Sequence, residues 1–182
     1  MPRFRTSLLF ICVSSLASAA TLQQLSMQQM TQSATAIVRA TVGSSSASFT
    51  GPTIYTHYKL QISETWKGSP GSEVMLPGGV AGGLRQSFPG VPQLKTGTEY
   101  ILFLWTSSVT GITHIIGLSQ GIFSLSQQSD GTVQAIRAQI GEGMYDSSGR
   151  TVQDHGLAMK MNDMKSLVQQ TMAMPSGPAR VK

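Results

Sequence analysis

The sequence contains one cysteine, Cys12, and charged side chains make up only 12% of its 182 residues, about half of the ~25% usual for soluble domains. A lone cysteine excludes an intrachain disulfide, so the core must be held by packing, which a chain of this length can supply. No apolar run approaches the ~20 residues that a membrane-spanning helix needs. Basic residues are few and scattered, with Arg39, Lys59, Lys67, Arg85, Lys95 and Arg137 standing singly; nucleic-acid binding needs them clustered on one face. The hydrophobic fraction of 40% is too high, and the net charge too low, for an intrinsically disordered chain. What fills the gap is glycine, proline, serine and glutamine, which together predict a neutral surface rich in hydroxyls and amides.

The N-terminus changes how these figures read. Arg3 and Arg5 precede an apolar run from Ser7 to Leu16 that ends in Ala17-Ser18-Ala19, the pattern of a secretory signal peptide over residues 1–19 with cleavage after Ala19. A run of about ten apolar residues is too short for an anchor, and Ile11 before Cys12 is the wrong residue for a lipid-modified cysteine. The expected location is secreted or periplasmic. Loss of Arg3 and Arg5 lowers the formal net charge of +5 by two. Arg180 and Lys182 lie in a tail, residues 175–182, whose Ser-Gly-Pro composition predicts disorder. One nearly neutral domain over residues 20–174 remains.

Along that domain, Thr21 and Gln24 have the spacing of a capping box before Leu25, Met27 and Met30, predicting an N-terminal helix. A first strand is expected over residues 36–42, with a flexible exit at Gly43-Ser44-Ser45-Ser46. From Thr53 to Trp66 the chain alternates strictly, placing Ile54, Tyr58, Leu60, Ile62 and Trp66 on one apolar face and His57 on the wet one. A short strand over residues 73–76 precedes a long connection, residues 77–97, kept irregular by glycine and proline. Residues 99–105 are continuously apolar, as in a central strand buried on both faces. Residues 112–118 form its expected hairpin partner, and residues 122–125 and 132–136 flank an Asp130-Gly131 turn. Leu157, Met161, Met164, Leu167, Val168 and Met172 fall at helical spacing, with Asn162 as cap and Pro175 as stop. The fold class is therefore mainly β: a small antiparallel, OB-like barrel of five to seven strands with a helix at each end.

Gly117-Leu118-Ser119-Gln120-Gly121 matches the G-x-S-x-G of a nucleophile elbow, and Asp146, Asp154 and His155 follow in hydrolase order. The strand-like Ile122-Phe123-Ser124-Leu125 stands where the elbow needs a helix, which favours a tight turn or bulge between strands. Gly90 to Thr96 lacks the second glycine of a P-loop. His57, His114 and His155 share no metal-ligand spacing, so neither a metal nor a cofactor is expected. His114 shares parity with Ile112, Ile116 and Leu118, as a core or rim residue. The methionines 159, 161, 164, 172 and 174 read as a helix face packed on the barrel, in preference to a soft docking surface or a copper site.

The blocks Ala36-Ile37-Val38-Arg39-Ala40-Thr41-Val42, Tyr58 to Ile62 with Trp66-Lys67-Gly68, and Gly97-Thr98-Glu99-Tyr100-Ile101-Leu102 resemble the netrin-type module of the tissue inhibitors of metalloproteinases, an OB-fold barrel. With Pro77-Gly78-Gly79, Gly82-Gly83, Pro89-Gly90, Pro92 and the Gly117 to Gly121 block, the chain is still more similar to an uncharacterised family of secreted bacterial proteins. The inhibitors chelate the protease zinc through an N-terminal cysteine and carry several disulfides. This chain has neither, so that activity does not transfer; the resemblance implies an exported five-stranded barrel with a glycine-rich loop.

The function expected from the sequence is that of a non-enzymatic binding module. Its candidate residues are Gly78, Gly79, Gly82, Gly83, Arg85, Pro89 and Gly90 of the loop, with Ser119, Gln120 and Gly121 of the turn beside them. The expected partner is another extracytoplasmic protein or a neutral ligand. The alternative is a serine hydrolase using Ser119 with His155 and Asp146.

Overall fold

Ser26, not Thr21, opens the first helix in the computed structural model, which describes residues 21–141 and 143–174. The Ser26 hydroxyl accepts from the Gln29 amide at 3.1 Å and the Gln29 side chain accepts from the Ser26 amide at 2.8 Å, a reciprocal capping box. Helix α1 (Met27–Ser33) follows. The segment at the predicted cap is instead strand β1 (Thr21–Gln23), held extended as the Gln24 amide bonds the Tyr145 carbonyl at 2.8 Å. The expected signal peptide and disordered tail lie outside the described residues.

Strand β2 (Ala36–Thr50) runs straight through the serines expected to be a flexible exit and pairs with β3 (Thr53–Lys67). The ladder continues from Ser44 opposite Lys59 to Thr50 opposite Thr53, turning at Gly51-Pro52. Cross-strand hydrogen bonds thus hold a segment whose own composition favours a loop. Three register shifts interrupt this pair. The one at Ser63 reverses the parity of β3, so Trp66 leaves the face of Tyr58, Leu60 and Ile62 and packs with the helices. A single extra residue in a strand does this because side chains alternate with period two.

Strand β4 (Glu73–Pro77) pairs with β3, and a hairpin of β5 (Gly79–Ala81) and β6 (Leu84–Gln86) follows. Residues 77–97 were expected to be irregular throughout; Gly82 and Gly83, at φ of +55° and +76°, form the two-residue turn that this hairpin needs. Strand β7 (Glu99–Thr106) is central, with Tyr100 to Leu104 buried on alternating faces. The predicted strand over residues 112–118 shrinks to β8 (Thr113–Ile115), and a 3₁₀ turn covers Leu118–Gly121. In β8 Thr113 and Ile115 point inward, which puts His114 on the opposite parity from that expected. Strands β9 (Ile122–Gln127) and β10 (Val133–Arg137) form the anticipated hairpin. Strands β11 (Gly143–Tyr145) and β12 (Thr151–Val152) join β1 in a small separate sheet, where β1 and β11 are parallel. Leu157–Lys160 is strand β13, so helix α2 (Met161–Ala173) begins one turn later than its apolar spacing suggested, with Lys160 as cap.

The main sheet runs β13-β10-β9-β7-β2-β3-β4, antiparallel throughout, with β8 beside β9 on the same edge of β7. The fold is mainly β with two helices, and no ladder closes this sheet among the described residues. Its two faces bury separate clusters. Val38, Val42, Tyr58, Leu60, Val74, Leu102 and Ile115 fill the concave side. Ile37, Trp66, Ile101, Phe103, Phe123 and Ala135 face Met30 of α1 and Met164 and Val168 of α2. The Phe103 and Phe123 rings meet at 5.8 Å and 54°, a tilted contact worth ~0.5–1.5 kcal/mol beyond its buried area. Among the described residues no helix is long and apolar enough to cross a membrane.

Candidate functional site

The glycine- and proline-rich connection divides into two parts with different tasks. Its first part, the β5–β6 hairpin, lies flat against the β2–β3 arm. The Gly78 amide bonds the Ile54 carbonyl at 2.7 Å, and the Thr56 hydroxyl donates to the Gly78 carbonyl at 2.7 Å. The Gln86 side chain clamps the hairpin, accepting from the Ile54 amide at 2.6 Å and donating to the Pro52 carbonyl at 2.9 Å. Gly79 has φ +136°, and a Cβ there would stand 2.6 Å from Thr56 Oγ1. Gly78 and Gly79 therefore permit close packing, Gly78 against the Gln86 carbonyl and Gly79 against the Thr56, Ala47 and Ile54 side chains, and both also line the small space beneath the hairpin. Gly82, Gly83 and Arg85 are exposed at the hairpin's free end, as is Pro89 just beyond it, with Gly90 half-buried.

The second part covers one end of the concave core. Leu94 is buried within it and Val91 packs on it; the Lys95 amide donates to the Tyr100 hydroxyl at 3.1 Å. Beneath the hairpin, between Tyr58, Gly79, Gln86 and Phe88, a space of about 60 Å³ remains. That holds a few waters, each needing ~10–15 Å³ by the same measure.

A second opening bordered by the loop lies where it meets the 117–121 turn. Pro92 and Gln93 from the loop, Tyr100 from β7, Ser119 from the turn, Ser124 from β9 and Gln139 after β10 line a groove of about 210 Å³. None of its lining residues is ionisable near neutral pH, and its polar groups are hydroxyls and amides. The turn carries backbone strain: Gly117 has φ +60° and Leu118 follows at +55°, the one non-glycine with positive φ among the described residues. Two successive left-handed residues reverse the chain abruptly, so Ser119 reaches the groove while Gln120 turns inward.

Of the three candidates in this turn, only Ser119 lines an opening. Gln120 is 2% exposed, accepting from the Leu25 amide at 2.8 Å and donating to the Gln23 carbonyl at 2.9 Å. Its amide ties the N-terminal segment to the sheet. Gly121 is buried, with the Ile116 carbonyl 2.6 Å from where a Cβ would stand, so it is a packing glycine. Ser119 has no hydrogen bond to a histidine or carboxylate among the described residues. Asp146 is engaged in its own turn, where the Ser148 hydroxyl at 2.6 Å and the Arg150 amide at 3.0 Å bring its pKa down to about 2. Asp154 is buried and takes a bidentate pair from Arg137 at 2.9 and 2.6 Å and the Ile140 amide at 2.8 Å. His155 is exposed. The triad Ser119, His155 and Asp146 is not assembled.

No family model and no curated protein sequence matches the chain. Its site must therefore be read from its own geometry.

His114 is half-buried and hydrogen-bonded, as expected of a core or rim residue, whereas the surroundings of His57 were not anticipated. His114 Nδ1 donates to the Met75 carbonyl at 3.1 Å, bridging β8 to β4. His57, assigned only to the wet face, stands between Ser48 and Glu73, with Ser48 Oγ 2.9 Å from Nε2 and Glu73 Oε1 2.9 Å from Nδ1. The sequence holds no spacing signal for this set, because it depends on a bulge in β2. Among the described residues no three His, Cys, Asp or Glu side chains gather as metal ligands.

Proposed function

We propose that this chain is an exported binding module whose glycine- and proline-rich loop, with the Ser119 turn, forms a groove for a neutral ligand bearing hydroxyl or amide groups. The observation that carries the reading is the convergence of Gln93, Tyr100, Ser119, Ser124 and Gln139, drawn from five separate segments, on one opening without an ionised lining residue. A space of about 210 Å³ is smaller than the ~300–1,000 Å³ of sites that enclose a whole drug-sized molecule. It suits one sugar ring or a short stretch of peptide, the rest of the ligand lying outside. The hydrogen-bonding side chains then set orientation, and Pro92, Ile122 and Ile136 supply apolar contact.

The fold side of the proposal is an OB-like barrel, β2-β3-β4 and β7-β8 wrapped around the concave cluster. The His114 to Met75 contact, which brings β4 against β8 without a ladder, supports it, as does the resemblance to the netrin-type module. Leu94 and Val91 would stopper one end, and the groove would open beside that stopper.

Amide shift mapping on the ¹⁵N-labelled chain tests the groove, using chitotetraose and an uncharged Ser/Asn/Gln hexapeptide as probes. Shifts concentrated at Gln93, Ser119 and Gln139 with either probe, and abolished by Ser119→Trp, are expected. No perturbation with both probes at millimolar concentration, or shifts confined to residues outside the groove, would refute it.

A further inference from the structure

We propose that Ser48, His57 and Glu73 form a nucleophilic relay on the outer face of the β2–β3–β4 arm, with Ser48 as a serine that accepts acyl groups from activated esters. The three residues share no position with the groove, so this activity stands or falls independently of ligand binding there.

The arrangement originates in a bulge. Val42 pairs with Leu60 on the concave side, but Ser44 pairs with Lys59, so Gly43 is an extra residue in β2. That shift puts Ser44, Ser46 and Ser48 on the same face as His57 and Lys59; without it they would share the face of the buried Tyr58 and Leu60. Ser46 stands directly opposite His57, Ser48 one diagonal step away, and Glu73 opposite Lys59 on the next strand. Side chains at such diagonal positions reach one another readily.

Hydrogen bonding then orders the protons. Glu73 pairs with Lys59 through Oε2 and with His57 Nδ1 through Oε1; the His57 contact first, then Lys59, holds its carboxyl below the ordinary range. An ionised carboxylate only accepts, so Nδ1 carries the ring proton and Nε2 is left to accept the Ser48 hydroxyl. Nucleophile to base and base to carboxylate, both at 2.9 Å, is the geometry of an activated serine. Ser48 is exposed and the His57 side chain is 20% exposed, so an acyl donor can approach.

In the step itself Ser48 Oγ bonds to the acyl carbon as its proton passes to Nε2. The bond from that carbon to the leaving oxygen breaks, and the leaving alkoxide or phenoxide takes the proton from Nε2. Water, deprotonated by the same nitrogen, returns Ser48 and releases the acid. Strand β3 is laddered on both sides at His57; β2 beyond Thr41 is laddered to β3 alone, but its outward amides lie in the plane of the sheet, away from a carbonyl held above it by Ser48 Oγ, and so make poor oxyanion donors. Each such donor contributes ~10²–10³ in rate. The substrate class is therefore activated esters, whose leaving groups need little assistance, rather than amides.

A fluorophosphonate probe on the full chain tests the relay, since Ser48 Oγ would displace fluoride from phosphorus and the departing fluoride would carry off the proton. Intact mass and peptide mapping should show one adduct, on the peptide holding Ser48. Ser48→Ala should abolish it, and His57→Ala should slow it ~10²-fold or more. Glu73→Gln should slow it at least tenfold while leaving the Ser48 hydroxyl in place. Thermal melts accompany each variant. A folded wild-type chain that takes no label at Ser48, or labelling unchanged in a folded His57→Ala, overturns the proposal and leaves the three residues as a cross-strand brace.

Discussion

Replacing Asp154 with alanine isolates the most deeply buried ion pair among the described residues. Its side chain is 2% exposed and that of Arg137 12%, so the pair sits where solvent screens little. Asp154→Ala removes the partner of both Arg137 nitrogens and the acceptor of the Ile140 amide. It leaves a mostly buried guanidinium and a buried N–H unsatisfied. Breaking such a pair from one side costs ~3–5 kcal/mol. For a domain of this size each kcal/mol moves Tm by ~2–4 °C, so a fall of about 6–20 °C is expected in calorimetry. The pH dependence gives a second reading. The Arg137 hydrogen bonds hold the folded Asp154 carboxyl below its ordinary pKa, so its contribution is complete above the unfolded value and is lost as pH falls through the depressed one. The gap between wild type and Asp154→Ala, measured by urea unfolding, should therefore be widest near neutrality and narrow in acid. The double variant Arg137→Leu/Asp154→Leu should recover much of the loss, since paired apolar replacements avoid the stranded charge. A loss below ~1 kcal/mol for Asp154→Ala, the net contribution of an ordinary surface pair, or a gap independent of pH, would refute the reasoning.

Two further outcomes follow from the loop and turn. Gly79→Ala should destabilise markedly more than Gly83→Ala, because both have positive φ but only Gly79 would bring a Cβ 2.6 Å from Thr56 Oγ1 and 3.0 Å from Ala47; parallel urea melts should separate them by ~1–3 kcal/mol. Gln120→Ala strands the Leu25 amide and should cost ~1–3 kcal/mol, with hydrogen-exchange protection lost at Leu25 before it is lost in β7.

The elements legible in the sequence are those whose burial pattern is regular. Tyr100 to Leu104 are apolar without a break because the strand is covered by Leu60 and Val74 on one face and by the helices on the other. The alternation over Thr53 to Ile62, the Asp130-Gly131 hairpin and the apolar stripe of α2 were legible for the same reason. Misread elements have other causes. Ser44 to Ser48 extends only because β3 lies alongside, a tertiary effect that propensity does not carry. Strands β1, β11 and β12 are two or three residues long, too short for a period to develop. The β5–β6 hairpin did carry a signal, the Gly82-Gly83 pair between Val80 and Leu84, which the surrounding glycines and prolines obscured. At the candidate site the juxtaposition of loop and Ser119 turn was legible in outline. That Gln120 and Gly121 face protein rather than an opening was not, since turn direction decides it.

Scarcity of charge acquires a physical meaning once the partners are known. Glu64 with Lys165, Glu73 with Lys59, Glu99 with Arg39, Asp146 with Arg150 and Asp154 with Arg137 place five of the eight acidic residues in ion pairs. Lys67 caps α1 instead, donating to the Thr31 and Gln32 carbonyls at 2.6 and 3.2 Å, and burial lowers its pKa. Charges in this chain thus fasten strands and helix ends to one another, and most are committed before any partner arrives. A surface whose ions are committed in this way exerts little long-range field. Recognition then falls to short-range contacts, for which hydroxyl and amide side chains around an uncharged opening are the suitable chemistry. The Ser48 network is the exception that follows the same rule. There the Lys59–Glu73 pair holds a carboxylate against His57, and a charge engaged in structure becomes available to orient an imidazole.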